Sequence, residues 1–403
     1  MTGWAPDRAA GLARLEQFTP LMGKSYSDNR NTDLGPGRNT RVSGLSPWIR
    51  HRLLTEEEGV RAALEAHGPR GADKFVQEMI WRTYWKGWLE MRPEVWTRFE
   101  AERARRIADG EAGAEAILTA EQGRTGIEGF DDWARELVET GWLHNHARMW
   151  FASIWVFTLG LPWVLGADFF LRHLLDGDPA SNTLSWRWVA GLQTPGKTYL
   201  ATADNVALFT GGRFRPTGLA SVATPLTEAP AAGARPLPPA AASVPEGPRL
   251  LLVTTEDMTP KDSVPRGGVC AVALMSPRGA AGRGGPAQRF MEGALADTHR
   301  RLEQQYGHEV VRLEGRETGS DEGGVLVEMA RAAGAVGIVT PYAPVGPVAS
   351  VLSGLQRDVG AAGLDWVSVR RPWDTALWPL ADRGFFPFRE RSGAALRSLG
   401  LPV

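Results

Sequence analysis

Cysteine is almost missing from this chain: Cys270 is alone among 403 residues. One thiol cannot form a disulfide within the chain, and it cannot ligate a four-cysteine iron–sulfur cluster. Long apolar runs are missing too. No stretch reaches the roughly 20 residues that a membrane-spanning helix needs. The opening Met1-Thr2-Gly3-Trp4-Ala5-Pro6-Asp7 has no signal-peptide pattern. The expectation is a cytoplasmic chain with no membrane partner. A basic excess is also missing. The chain has 45 Lys and Arg against 46 Asp and Glu, a net charge of −1. Residues 1–214 alone hold 25 of the former and 27 of the latter. That is not the global footprint of a nucleic-acid binder. Contact with nucleic acid would need a local patch, for which Arg50, His51, Arg52, Arg187 and Lys197 are candidates.

Tryptophan is what the chain has in excess. Eleven of its 16 tryptophans lie between Trp81 and Trp188. A core can be built from Leu, Ile and Val, and a buried indole N–H wants a partner. Such a cluster suggests stacking on a flat ligand, stacking on bases, or electron transfer. Glu78, Trp81, Arg82 and Trp85 fall at i, i+3, i+4 and i+7, one face of a helix. Asn145, Arg148 and Met149 repeat that spacing on a second segment. Each face mixes an ionisable or amide group with a large flat or soft side chain. On spacing alone, a Trp-rich helical bundle with satisfied buried polar groups is an equal reading.

The order of several separated motifs goes further. Val42-Ser43-Gly44-Leu45-Ser46-Pro47 is followed by Glu78, Trp81 and Arg82. Then come Trp142, His144, Asn145, Arg148 and Met149, and after them Asp176-Gly177-Asp178 with Asn182, Trp186 and Trp188. The stretch from Gly196-Lys197-Thr198-Tyr199-Leu200 to Phe214 closes the set. Over residues 20–214 this resembles the flavin-binding domain of the DNA photolyase/cryptochrome family. The resemblance implies a helical domain holding FAD. Tyr26 would sit at the cofactor's edge, and Ser43, Ser46 and Arg82 would bind the diphosphate. Arg148 and Asp176 would pair beside the isoalloxazine ring, Asp178 would accept from the cofactor, and Asn182 would face flavin N5. No metal site is implied.

The same resemblance implies a substrate side: UV-damaged DNA with a cyclobutane pyrimidine dimer flipped into a pocket above the flavin. Trp81 and Trp188 would pack on the two pyrimidines. Glu78 would hydrogen-bond the lesion, and Asn145 and Met149 would line the pocket. Trp186 and Trp163 match the inner members of the family's tryptophan wire. The outer member has no match in Ala108-Asp109-Gly110-Glu111, and Trp150 or Trp155 offers another exit. His144 and His146 point to other helix faces and are read as outside the pocket. The implied activity is light-driven dimer splitting by a monomer. A cryptochrome-like photoreceptor without repair is the rival reading, and a light-insensitive flavin-binding scaffold is the third.

Beyond Phe214 the composition changes. Residues 215–248 are rich in Ala, Pro and Gly, as in Pro236-Leu237-Pro238-Pro239, and read as an extended linker. Residues 249–403 alternate strand and helix patterns. Strands are expected at Leu250–Thr254, Val269–Met275, Glu309–Leu313, Val336–Thr340 and Trp366–Val369. Helices are expected over Pro286–Tyr306, Gly324–Ala333 and Pro347–Ala362. This order gives a Rossmann-like parallel sheet flanked by helices. The fold expectation is thus an all-α FAD-binding domain over residues 1–214 and an α/β domain over 249–403. The second domain resembles the photolyase antenna domain moved behind the first, down to the closing Phe385-Phe386-Pro387-Phe388. Its first loop, Thr254-Thr255-Glu256-Asp257-Met258, lacks the family's Arg-Arg-Asp, and no antenna pigment is assigned.

Overall fold

Helix starts are written into this chain as capping side chains. The computed structural model describes residues 4–276, 284–314 and 322–403. In it Asp7 accepts from the Ala10 amide and opens α1, Arg8–Phe18. After α2, Lys24–Asn29, and the short α3, Ser46–Arg50, Thr55 opens the long α4, Glu56–Glu90. Thr55 and Glu58 form a reciprocal capping box there. The helical run continues through α5, Glu94–Ala108, α6, Glu115–Glu121, and α7, Phe130–Thr140. Next come α8, Asn145–Ser153, α9, Trp163–His173, α10, Pro179–Val189, and α11, Ala203–Phe209. Asp178 caps α10 by accepting from the Ser181 amide at 2.7 Å.

Helix α4 is not one rod. Gly68 sits at φ 66°, ψ 171°, and Pro69 follows it. The residue before proline is driven out of the helical region, and only glycine takes a positive φ without strain. The break separates a first segment, which ends near His67, from a second that carries Glu78, Trp81, Arg82 and Trp85.

Residues 215–248 form no helix. Their one pairing is an isolated parallel bridge from Ala241 to Val369. The segment is nonetheless tied down: Leu226 N–H donates to Ala190, and Arg235 N–H donates to Met91.

The strand pattern after residue 248 folds as the sequence indicates. The elements are β1, Arg249–Thr254, β2, Val269–Ser276, α12, Gly285–Tyr306, and β3, Val310–Glu314. They are followed by α13, Glu322–Ala332, β4, Gly337–Pro341, α14, Pro347–Ala361, and β5, Asp365–Val369. All five strands are parallel, in the order β3-β2-β1-β4-β5. The central β1 is buried along its whole length, as expected of a parallel strand covered on both faces. Its residues alternate between two cores. Leu251 and Val253 join the core shared with the helical lobe, whereas Leu250 and Leu252 pack with Ile338 and Leu355 on the far face. The chain ends in α15, Pro372–Leu377, and α16, Phe385–Ser398.

Those last two helices lie against α4. Trp373 Nε1 donates to Thr83 Oγ1 at 3.0 Å, and the Tyr84 hydroxyl donates to the Arg383 carbonyl at 2.9 Å. The apolar core runs without a break from Trp48 and Trp88 to Phe290, Trp373 and Phe388. Among the described residues no helix is long and apolar enough to cross a membrane.

Candidate flavin site

Three elements meet at one buried polar cluster: the start of α3, the second segment of α4, and the turn that enters α10. The turn, Asp176-Gly177-Asp178, supplies two carboxylates. Asp176 accepts from Arg148 Nη2 at 3.0 Å, and Arg148 also donates from Nε to the Leu143 carbonyl. Burial alone would raise the Asp176 carboxyl. Arg148, Arg82 and the Ser46 hydroxyl outweigh it and hold the group below the usual range. Asp178 Oδ2 is ringed by three cations: Lys86 Nζ at 3.6 Å, Arg82 Nη1 at 3.9 Å and Arg50 Nε at 4.0 Å. Against the same desolvation, these cations and the Ser181 amide push the Asp178 carboxyl far down.

None of the three cation approaches to Asp178 is short enough for a hydrogen bond. Lys86 Nζ, Arg82 Nη1 and Asp176 Oδ1 are buried without a hydrogen-bond partner. A buried ammonium or carboxylate left so costs several kcal/mol on the general scale. The cluster therefore holds two cationic donors and one acceptor oxygen, all inaccessible to water and all unused. That donor set suits a ligand with both anionic oxygens and N–H groups. FAD, with its diphosphate and its ring imide, is such a ligand.

Of the other expected cofactor residues, Ser46 and Asn182 lie on elements of this cluster, whereas Ser43 is in the loop before α3 and Tyr26 is on α2. Ser46 is the first residue of α3, and the Ser43 carbonyl accepts from Arg14 Nε at 2.7 Å. Asn182 is buried on α10, with its amide nitrogen donating to the Ala167 carbonyl at 2.9 Å. Tyr26 is packed between Phe18 and Phe75, with ring centroids at 6.2 and 5.2 Å.

The expected substrate side is arranged differently. Trp81 is stacked on Phe385 of α16, with centroids 3.4 Å apart and planes 7° from parallel. Glu78 is half-buried and lies 3.4 Å from Arg30 Nε. Asn145 is exposed, and its amide nitrogen is 3.9 Å from Met149 Sδ. Trp188 stacks on Tyr199 at 5.6 Å. The two histidines beside Asn145 turn toward backbone: His144 Nε2 to Arg30 O at 2.9 Å and His146 Nδ1 to Asn31 O at 2.7 Å. Burial pulls the His144 imidazole down to about 4.

Trp186 is buried, edge-on to Phe170 at 5.1 Å and to Trp155 at 6.3 Å. It fits there because residue 166 is glycine: a Cβ at that position would come within 2.4 Å of the indole. Trp163 packs on Phe99 at 5.7 Å. Trp150 stacks on Trp133 at 5.3 Å.

The basic patch considered for nucleic acid does not form. Arg50, His51, Arg52 and Arg187 are buried, and only Lys197 is exposed. Arg187 is paired with Glu228 and Arg52 with Asp374. These arginines look like surface charge in the sequence because their partners lie 41 and 322 positions away. Sequence reasoning also missed Lys86. It lies one turn past Arg82 on the same helix face, so extending the i, i+4 pattern would have found it. Nothing local marked Phe385 as the neighbour of Trp81.

Known proteins carry the same helical pattern. Residues 75–210 match the family model described as the FAD binding domain of DNA photolyase. The deoxyribodipyrimidine photo-lyase of Synechococcus sp. is 32% identical over 201 residues, 46% of this chain and 39% of that protein. Its Streptomyces griseus counterpart is 37% identical over 154 residues, 38% of this chain and 33% of that one. A photo-lyase of Thermus thermophilus is 34% identical over 220 residues, covering 53% of this chain and 49% of its own. A bacterial class III photolyase from Agrobacterium tumefaciens superposes with a TM-score of 0.43 at 26% identity, over 52% of this chain and 43% of that one.

The fold and the matched segment define a two-domain flavoprotein: a helical FAD-binding domain followed by a five-stranded parallel-sheet domain. Through its helical lobe the chain is similar to proteins of the photolyase/cryptochrome family. It spans between a third and a half of the length of these curated relatives.

Proposed function

We propose that the chain is a light-driven, FAD-dependent lyase that splits cyclobutane pyrimidine dimers in UV-damaged DNA. The observation that carries this reading is the buried set of unpartnered groups, Lys86 Nζ, Arg82 Nη1 and Asp176 Oδ1. Lys86 and Arg82 lie on the same stretch of α4 as Glu78 and Trp81. When bound, FAD supplies the absorption of light and the transfer of one electron to the lesion and back.

The chain's residues do the remaining work. Arg82, with Ser43 and Ser46 near the start of α3, holds the diphosphate. The Arg148–Asp176 pair fixes the polar edge of the ring, and Asp178 accepts from the cofactor. Asn182 commits its amide nitrogen to Ala167, so its amide oxygen is the group that can accept a proton-bearing ring nitrogen. Glu78 hydrogen-bonds the lesion. Trp81 and Trp188 contact its rings, and Asn145 and Met149 line the pocket. Trp186 and Trp163 are the residues that would pass electrons toward oxidised cofactor.

One observation favours the photoreceptor reading. One face of Trp81 is covered by Phe385. A signalling protein needs no open pocket there. Chemically reduced protein, illuminated with blue light on an oligonucleotide carrying a defined dimer, separates the two. Dimer loss is expected. Ready photoreduction with every dimer intact would replace repair by photoreception.

A further inference from the structure

The α/β domain reaches the flavin cluster through Glu256. Arg50, the last residue of α3, is 3% exposed. It donates from Nη1 and Nη2 to the two oxygens of Glu256, both at 2.8 Å. Its Nε donates to the Gly177 carbonyl at 2.9 Å. Gly177 is the residue between the two carboxylates of the cluster, and Arg50 stands 4.0 Å from Asp178. Glu256 itself lies two residues past β1 and is 4% exposed.

This geometry sets up a competition. Arg50 has two carboxylates within reach, and it forms its planar two-bond pair with the one from the α/β domain. That pairing geometry is the strong one for a guanidinium. Asp178 is left without a short contact to Arg50, and its outer oxygen stays open to Lys86, Arg82 and any ligand between them. The remaining nitrogen of Arg50 fixes the height of the turn through Gly177. Without Glu256, the guanidinium has an unbalanced charge in a dry site and one carboxylate 4.0 Å away. It would close on Asp178.

We propose that Glu256 is a positioning residue of the flavin site: by holding Arg50, it keeps Asp178 free for the cofactor and makes the α/β domain part of the FAD-binding unit. The inference rests on the flavin reading of the Asp176–Asp178 turn. It also assigns the first loop of the α/β domain a task other than holding a pigment. Linkage requires reciprocity: FAD binding and docking of the two lobes strengthen each other by the same factor.

The test uses the full chain, with apo-protein titrated with FAD and the flavin midpoint potential measured on the loaded form. Glu256→Gln should weaken FAD binding roughly 5- to 100-fold, the usual range for coupled sites. It should also move the midpoint potential to more positive values, because one negative charge is lost beside the cluster. Glu256→Asp keeps the charge one methylene shorter and should fall between the two. Wild-type affinity and potential in Glu256→Gln would overturn the proposal. If that variant does not fold, Glu256→Asp decides. A severalfold loss of affinity with an unchanged apo melting curve supports the proposal, and wild-type affinity overturns it. A wild-type chain that takes up no FAD would instead overturn the flavin reading itself.

Discussion

Two places in this molecule are built to take a ligand, and they are filled in opposite ways. One is the cluster at the entry to α10. The other is the crevice at the carboxyl ends of β1 and β4, where sheets of this order usually bind small molecules. In the crevice the carboxylates are bonded by protein, although Arg52 Nε and Thr259 Oγ1 have no hydrogen bond. Glu256 pairs with Arg50, and Asp257 pairs with Arg371 at 2.5 Å. The Met258 amide donates to the His51 carbonyl. Across β4, the Tyr342 hydroxyl and the Val345 amide both donate to Glu90, at 2.7 and 2.5 Å. In the cluster, by contrast, two cations sit near Asp178 without a hydrogen bond, and a carboxylate oxygen of Asp176 has no hydrogen-bond donor. The lesson is that burial of charge alone does not mark a ligand site. The crevice has spent its polar groups on docking the helical lobe, and the cluster has kept its own.

The largest test of that difference is Arg52→Gln. Arg52 is buried, bonded to both oxygens of Asp374 at 2.7 and 2.8 Å, and 3.6 Å from Asp257. Removing it strands the buried Asp374 carboxylate and takes the cation 3.7 Å from buried Glu56 away, and should cost about 3–5 kcal/mol of stability. A chemical-denaturation midpoint that does not move would show that the crevice is not what joins the lobes.

Glu90 gives the next effect, through pH. Its carboxyl is pushed up to about 6 by burial, against an ordinary value of 4.5, with the Val345 amide and Tyr342 pulling the other way. Between those two values the folded chain holds a proton that the unfolded chain has lost. This group's contribution to stability is therefore full below about 4.5 and falls as pH rises through 6. The shift corresponds to roughly 2 kcal/mol. Glu90→Gln should flatten the fall in melting temperature over that window. A slope equal to wild type would mean that another group titrates there.

Lys86→Gln should separate the two places by what it moves most. In the cluster the lost ammonium had no hydrogen bond but faced Asp178 at 3.6 Å, and Arg82 and Arg50 remain beside that carboxylate, so apo stability should fall by less than in Arg52→Gln. FAD affinity should drop about tenfold, near 1.4 kcal/mol. A clear loss of apo stability with unchanged FAD affinity would make Lys86 another docking charge. The smallest effect is Tyr342→Phe, which removes one hydrogen bond and should cost about 1 kcal/mol. It also removes a donor that lowers Glu90, so the pH window should extend upward. Unchanged pH dependence would count against the contact.

Much of this architecture was legible in the sequence. The strands of the α/β domain are short apolar runs bounded by Gly, Pro and charge, and such runs report burial on both faces directly. The runs Leu250–Thr254 and Val269–Met275 match the observed strands almost to the residue. The FAD-binding character of the helical lobe was legible because its motifs keep their order. Contacts formed at long range were not. Arg50 and Glu256 are 206 positions apart, and Arg52 and Asp374 are 322 apart. A local pattern sees two charges and cannot see that each neutralises the other. The break of α4 at Gly68–Pro69 was written locally, yet it matters only because it sets the direction of the segment that follows.

The Trp81–Phe385 stack has a consequence for any visitor to that ring. Phe385 is a tethered competitor. Being part of the same chain, it competes for the indole intramolecularly. A base arriving from solution must displace it. The apparent affinity is then the intrinsic one reduced by the fraction of time that Trp81 is bare. Phe385→Ala frees the indole face without touching the charged cluster. Occupancy at this ring is thus set as much by how tightly α16 closes as by what approaches from outside.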